Sequence, residues 1–104
     1  MATKAKSVYE HLEYPDADEM LVKARLVSAI SEQIKRRRLV QTEAAALLGF
    51  SQPKLSNLLR GQFRGVSERK LMDCLTKLGH DIEIVVRPAP RSRREGRISI
   101  ELAS

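Results

Sequence analysis

Apolar residues in the first half of the chain recur with the period of a helix. Five of them fall on one side when the chain is wound as an α-helix: Val22, Leu26, Val27, Ile30 and Ile34. This stripe predicts an amphipathic helix that runs to about Arg38. Asp16 or Asp18 is predicted to cap its start, because a carboxylate accepts hydrogen bonds from the free N–H groups of a first turn.

Two shorter helices are predicted to follow, and a glycine ends each of them. The first covers about Gln41–Leu48 and stops at Gly49. The next has Ser51 as its predicted N-cap, since a serine oxygen accepts a backbone N–H of the first turn. Pro53 falls in that turn, where a missing N–H costs little. This helix is expected to end at Gly61.

Beyond these helices the pattern of apolar residues changes. Ser67 is predicted to cap a fourth helix, which ends at Gly79. The segment Ile82–Val86 then has an apolar residue at every second position, which is typical of a strand. Residues 88–96 are rich in proline, arginine and serine and predict a linker, and the alternation returns over 98–102. We expect this last segment to pair as a strand within the chain or between two chains, or else to be an unstructured basic tail.

A chain of 104 residues has room for one domain and a tail. We expect an N-terminal arm over residues 1–15, a helical domain over 16–80, and a C-terminal strand with a basic tail over 81–104. A short element near Val8–Leu12 would bring the number of helices from four to five. The predicted fold class is mainly α, a four-to-five-helix domain with a C-terminal β-strand extension.

The middle of the chain, Gln41–Gly61, meets the demands of two short helices that cross at a sharp angle. Ala45 is small enough for the second helix to cross it. Gly49, four residues on, can adopt the positive φ that a tight turn needs. Leu55 and Leu58 provide apolar anchors for the back of the second helix. Together these positions predict a helix-turn-helix motif.

The other face of the second helix of this motif is polar. It carries Gln52, Lys54, Ser56, Asn57 and Arg60. In a helix-turn-helix the N-terminal end of this helix enters the major groove of DNA. Glutamine and asparagine can bond to adenine through two hydrogen bonds, and lysine or arginine to guanine. We therefore predict base contacts here, although a polar helix face is more often simply solvated.

Residues around the motif are candidates for contacts with DNA phosphates. Gln41 begins the helix before the turn, and a helix N-terminus favours a phosphate. The other candidates lie at the end of the third helix, in the next loop and at the start of the fourth helix: Arg60, Arg64, Ser67 and Lys70.

The charge of the chain supports a polyanionic partner. The net charge is +6 and is unevenly spread. Residues 1–19 carry two lysines against five acids and sum to −3, whereas residues 20–104 carry seventeen basic against eight acidic side chains and sum to +9. Nucleic acid is the natural partner of the basic part. Charge alone is weak evidence, because many basic proteins never bind nucleic acid.

The sequence offers little for catalysis. Its two histidines, His11 and His80, have no nucleophile near them, and no phosphate loop or metal-ligand spacing is visible. The single cysteine, Cys74, excludes an internal disulfide and a cysteine-cluster metal site. Its spacing from neighbouring leucines predicts a buried core residue. We expect no enzyme activity, no cofactor and no metal.

Membrane insertion and secretion are not indicated either. No apolar run has the length of a membrane span, and the N-terminus lacks the apolar core of a signal peptide. We expect a cytoplasmic protein that makes no contact with a membrane.

The run QTEAAALLGFSQPKLSNLLRGQFRGVSERKLMDCLTKLGHDIEIVVRP resembles the Xre/Cro-type helix-turn-helix regulators. More closely, it is similar to the HigA-like antitoxins of toxin–antitoxin operons, over about residues 14–97. The resemblance implies an all-α repressor-like domain that binds a palindromic operator in double-stranded DNA as a homodimer. In the antitoxin members it also implies binding and inhibition of a RelE/HigB-like RNA-cutting toxin.

The resemblance also assigns positions within the motif. The residues that read bases in the family correspond here to Gln52, Pro53, Lys54, Ser56 and Asn57. Pro53 can offer only an apolar contact, for instance with a thymine methyl group. Val40 departs from the family, whose members usually carry threonine or serine there. Val40 cannot cap the helix Gln41–Leu48 with a side-chain oxygen. The phosphate contact that a threonine or serine hydroxyl could make from this position is also lost.

These observations predict a sequence-specific operator-binding repressor that is the antitoxin of a toxin–antitoxin pair and represses its own operon. The alternative is a protein-interaction module that inhibits a toxin and binds little DNA of its own. In that case the acidic N-terminus and the alternating C-terminus would be docking segments.

Overall fold

The computed structural model describes residues 17–103, and four α-helices form that part of the chain. They are α1 (Ala17–Arg36), α2 (Gln41–Leu48), α3 (Gln52–Leu59) and α4 (Glu68–Lys77). The predicted mainly α fold and its order of helices are confirmed, and α2 has the predicted bounds. The predicted arm, the element near Val8–Leu12 and the cap at Asp16 lie outside the described residues.

The apolar stripe of α1 is buried as predicted. All five of its residues lie in one core cluster with side chains from the other three helices. The long helix α1 packs mainly along α4, while α2 packs mainly against α3. Ile30, Leu48 and Leu71 are fully buried at the centre of this cluster. Burial of each such side chain stabilises the fold by roughly 1.5–3 kcal/mol.

Of the two residues predicted to cap α1, Asp18 lies inside the first turn and is not the cap. The helix begins directly after the other candidate, Asp16, which lies outside the described residues. In the first turn the negative charge of Asp18 is favourable near the positive end of the helix dipole. At the other end the helix stops at Arg36, before the predicted Arg38. Arg38 takes a left-handed conformation with φ of 57°, and this conformation turns the chain out of the helix.

Serine caps fix the starts of two helices. The Oγ of Ser51 accepts the N–H of Lys54 at 3.2 Å at the start of α3. The Oγ of Ser67 accepts the N–H of Lys70 at 3.1 Å at the start of α4. Both predicted caps are therefore confirmed. Each satisfies a backbone N–H that has no partner within its helix.

The start of α2 uses a different arrangement. Val40 makes no side-chain capping bond, as its hydrocarbon side chain requires. Instead the carboxylate of Glu43 accepts the N–H of Val40 at 3.0 Å. This is one half of a capping box, and the half that needs an oxygen on residue 40 is missing. The first N–H groups of α2 are thus left without a side-chain partner.

The C-terminal segment corrects the sequence prediction. Residues 81–103 contain neither helix nor strand, so the strands predicted at Ile82–Val86 and over 98–102 are absent from the single chain. Val86 is 91% exposed and Ile98 is 77% exposed. Alternation is a local signal, whereas a strand also needs a neighbour to complete its backbone hydrogen bonds. Neither segment has such a neighbour within the described chain.

One residue of this segment does contact the helical domain. Ile100 is half-buried against the core, and Arg25 of α1 donates a hydrogen bond to its carbonyl oxygen at 3.4 Å. The end of the chain therefore returns to α1, and Ile82–Val86 stays uncovered.

Cys74 has the predicted place in the core. It is 1% exposed, and burial raises the pKa of its thiol, against the lowering effect of Lys70. Desolvation disfavours the thiolate, so the residue remains a protonated apolar side chain. Within residues 17–103, no three metal-binding side chains converge, and no helix has both the length and the hydropathy to cross a membrane.

Candidate nucleic-acid interface

The turn between α2 and α3 is set by Gly49. Its φ is 78°, in the left-handed region, and its N–H donates to the carbonyl of Ala45 at 2.9 Å. The N–H of Phe50 donates to the same carbonyl at 3.0 Å. The predicted roles of both positions are consistent with this geometry, since Ala45 is also buried at 4% exposure. The chain passes from α2 to α3 within three residues, and the hydrogen bonds to Ala45 fix this turn.

Lys70 braces this turn from α4. Its Nζ lies 5.0 Å from the centre of the Phe50 ring, and it donates to the carbonyl of Leu48 at 3.4 Å. A cation is favourable both over an aromatic face and at the C-terminal end of a helix. The residue predicted to contact a phosphate therefore also holds the two helices of the motif in place.

The helix α3 has one apolar face and one polar face. Leu55 and Leu58 are completely buried and attach the helix to the core. At its N-terminal end the side chains of Gln52, Pro53 and Lys54 are exposed. The three base-contact candidates at the start of the helix thus lie together on an accessible surface.

The other two base-contact candidates are less accessible. Ser56 and Asn57 are half-buried. The Oδ1 of Asn57 accepts a hydrogen bond from Nη2 of Arg60 at 2.7 Å. Arg60 therefore orients the amide of Asn57 and occupies one of its acceptor sites. An adenine contact from Asn57 would have to share this oxygen or displace Arg60.

A shallow depression brings together two separate stretches of the chain. It is lined by the turn, the start of α3, the loop before α4 and the start of α4: Gly49, Phe50, Ser51, Lys54, Gly65, Val66, Ser67 and Lys70. Two helix N-termini and two lysines thus surround one concave surface. This combination favours an anion, because two helix N-termini and two lysine side chains line the same surface.

The remaining phosphate candidates lie elsewhere. Gln41 is exposed at the start of α2. Arg60 is at the C-terminal end of α3, where it lines a second depression together with residues of α1. An eight-residue helix is about 12 Å long, so Arg60 is separated from the start of α3 by that distance. The structure does not bring these two residues into the anion-favouring depression.

The loop between α3 and α4 is anchored by a residue that sequence reasoning missed. Lys23 of α1 is 3% exposed, and its Nζ donates to the carbonyl of Arg64 at 2.7 Å. The same Nζ lies 3.3 Å from a carboxylate oxygen of Glu19. The signal was present in the sequence, since Lys23 falls between Met20 and Val27 on the apolar stripe of α1.

Comparisons with known proteins agree with this geometry. Residues 8–87 match a family model described as a helix-turn-helix domain. A solved structure, described as an XRE family transcriptional regulator, is 47% identical in sequence and has a TM-score of 0.78. That match covers 86% of this chain and 100% of the other. No curated protein matches the sequence.

We expect Gly49→Ala to lower the free energy of unfolding by about 1–2 kcal/mol, because an L-residue is strained at positive φ. An added Cβ would lie 3.6 Å from its nearest neighbour, Nζ of Lys70, so the loss comes from backbone strain. Gly65→Ala is the matched control, since it has no positive φ and nothing within 4 Å. Urea unfolding measures the free energy of unfolding of both variants. Equal losses of stability would contradict the role of Gly49 in the turn.

Proposed function

The chain belongs to the XRE-type helix-turn-helix family of DNA-binding transcriptional regulators, and from this premise we propose that it is a sequence-specific repressor. In this proposal it binds a palindromic operator as a homodimer, is the antitoxin of a toxin–antitoxin pair, and acts in the cytoplasm. The observation that carries the proposal is the exposed polar start of α3, held rigidly by the buried Leu55 and Leu58. A rigid support is what base reading requires, since hydrogen bonds to base edges tolerate little displacement.

Base reading is assigned first to the exposed end of α3. Gln52 can bond to adenine and Lys54 to guanine, while Pro53 can contact a thymine methyl group. Ser56 and Asn57 lie deeper and are assigned a secondary part. This order follows from exposure, since a side chain must project from the protein surface to reach the major groove.

Phosphate binding is assigned mainly to the depression beside α3. Ser67 and Lys70 line it, and Arg64 lies exposed in the adjoining loop. Gln41 is a weaker candidate, because it lies at a single helix N-terminus outside this depression. Arg60 is also weaker, given its place at the far end of α3. Phosphate contacts of this kind add affinity for all DNA and little sequence preference.

The two roles predict different effects of mutation. On DNA selected from a random pool by the protein, Gln52→Ala should lose roughly 1–3 kcal/mol of discrimination against other sequences. Arg64→Ala should instead weaken selected and random DNA alike, and lower the slope of log K against log salt by about one. Binding isotherms on both DNAs at several salt concentrations measure these effects.

The same isotherms also separate the alternatives. If both variants lose equal affinity on selected and on random DNA, the division between base contacts and phosphate contacts is contradicted. If the protein selects no sequence at all, the chain is better described as a protein-interaction module.

The proposed homodimer is supported by the uncovered segment between residues 81 and 87. Ile84 and Val86 are 77% and 91% exposed, although β-branched side chains favour burial in paired extended segments. When two copies are aligned in opposite directions about Ile84, Asp81 of each faces Arg87 of the other, and Ile82 faces Val86. This register pairs opposite charges and brings the apolar residues together on one face. The segment is thus complementary to itself under twofold symmetry, the usual symmetry of dimers that bind palindromic operators.

Charge reversal tests this register. Asp81→Arg or Arg87→Asp alone should weaken the dimer, because each places like charges opposite one another at both ends of the pair. The double variant restores opposite charges and should dimerise like the original protein. Sedimentation across a range of concentrations measures the dissociation constant. If each single variant dimerises as the original does, the interface lies elsewhere.

The antitoxin role is supported by the resemblance of the chain and by its division of charge. The region that holds the DNA-binding helices is basic, whereas residues 1–19 carry a net charge of −3. An acidic segment is suited to a basic partner such as a RelE/HigB-like toxin.

Co-expression with the product of the neighbouring open reading frame tests this role. We expect a stable complex in which RNA cleavage by the partner is suppressed. Gln52→Ala is the control, since it should alter operator choice and leave the complex intact. If no neighbouring product forms a complex, the protein is a repressor without a toxin.

A further inference from the structure

The ammonium group of Lys23 lies inside the fold, where a charge is costly. Its side chain is 4% exposed, and it occupies the face of α1 that packs on the core. An apolar residue in its place would continue the stripe formed by Met20 and Val27 and would need no partner. Replacing a buried ion pair by apolar residues is often neutral or stabilising, and removing one partner is costly mainly where the other charge stays buried. The Glu19 side chain is 47% exposed, so it would not be left as a buried charge. Stability alone therefore gives little reason for a lysine at this position.

The contact that Lys23 makes is long-range and specific. Its Nζ donates to the carbonyl of Arg64, 41 residues away, at 2.7 Å. The charge is balanced by Glu19, whose side chain is 47% exposed and still reaches Nζ at 3.3 Å. A lysine has the length and the donors to reach from a helix to a loop backbone. The bond thus ties α1 to the loop between α3 and α4.

This bond completes the attachment of that loop. The side chains of Phe63 and Val66 are buried on either side of Arg64. The N–H of Val66 also donates to the carbonyl of Phe63 at 3.0 Å, which closes a turn. With the carbonyl of Arg64 held inwards by Lys23, the backbone from which the exposed Arg64 side chain leaves has a fixed orientation.

We propose that Lys23 is a positioning residue for DNA binding: it holds the loop so that Arg64 and the start of α4 meet the phosphate backbone. Lys23 itself is too deeply buried to touch DNA. Its effect passes through the carbonyl of Arg64 to the side chain of the same residue. The inference rests on the phosphate contact proposed above for Arg64.

A double-mutant cycle tests the proposal on random-sequence duplex DNA. The proteins compared are the original, Lys23→Met, Arg64→Ala and the double variant. We expect Lys23→Met to weaken binding by about tenfold and to lower the salt slope by about one, as Arg64→Ala does. The double variant should bind no worse than either single variant, because both remove the same contact.

The control variant is Glu19→Gln. It removes the charge that balances Lys23 and leaves the bond to Arg64, so the salt slope should stay unchanged. Thermal unfolding of every variant ensures that binding is compared between folded proteins. If Lys23→Met does not fold, Lys23→Gln serves instead, because its side chain is one bond too short to reach the carbonyl.

Three results would overturn the proposal, and they differ in what they say about DNA binding. If Arg64→Ala lowers the slope and a folded Lys23→Met variant does not, the loop needs no positioning by Lys23. If the double variant shows the sum of both losses, the two residues act independently. If Arg64→Ala alone leaves the slope unchanged, the phosphate contact itself is absent and the positioning role falls with it.

Discussion

The polar surface of α3 depends on what its other face does. An eight-residue helix is too short to be stable alone in water, so α3 exists because Leu55 and Leu58 are buried in the core. The same burial determines which side chains are left outside. Gly49 and Lys70 then fix the angle at which α3 leaves α2. Packing, turn and brace together convert a short polar sequence into a surface with a defined shape.

Much of this arrangement follows from the sequence, because the signals involved are local. Each of these signals depends only on residues close to it in the sequence. They are the spacing of Val22, Leu26 and Ile30, the serine caps and Gly49. They predicted the four helices and the turn, and with them the exposed end of α3. The candidate base contacts were found for the same reason, since the faces of a short helix follow from its period. Whether these residues contact DNA stays a prediction.

What could not be predicted depends on contacts between distant residues. The prediction of a strand at Ile82–Val86 was wrong, because alternation in the sequence does not reveal whether a pairing partner exists. The place of Lys23 on the apolar stripe of α1 indicates its burial, but its partner, the carbonyl of Arg64, has no sequence signal. The second role of Lys70 became visible only when α4 was placed beside the turn. Side-chain type predicts an element well, but it predicts a long-range backbone contact poorly.

The separation of the two faces of α3 has a consequence for how such a regulator diverges. Between residues 52 and 57 only Leu55 is fully buried, and the core does not constrain the exposed positions Gln52, Pro53 and Lys54. If these positions contact bases as proposed, substitutions there change which bases are favoured while the fold keeps its stability. Duplicated copies of the gene could therefore acquire different operators through few changes. The buried Leu55 would keep the fold unchanged while the DNA sequence that each copy binds changed.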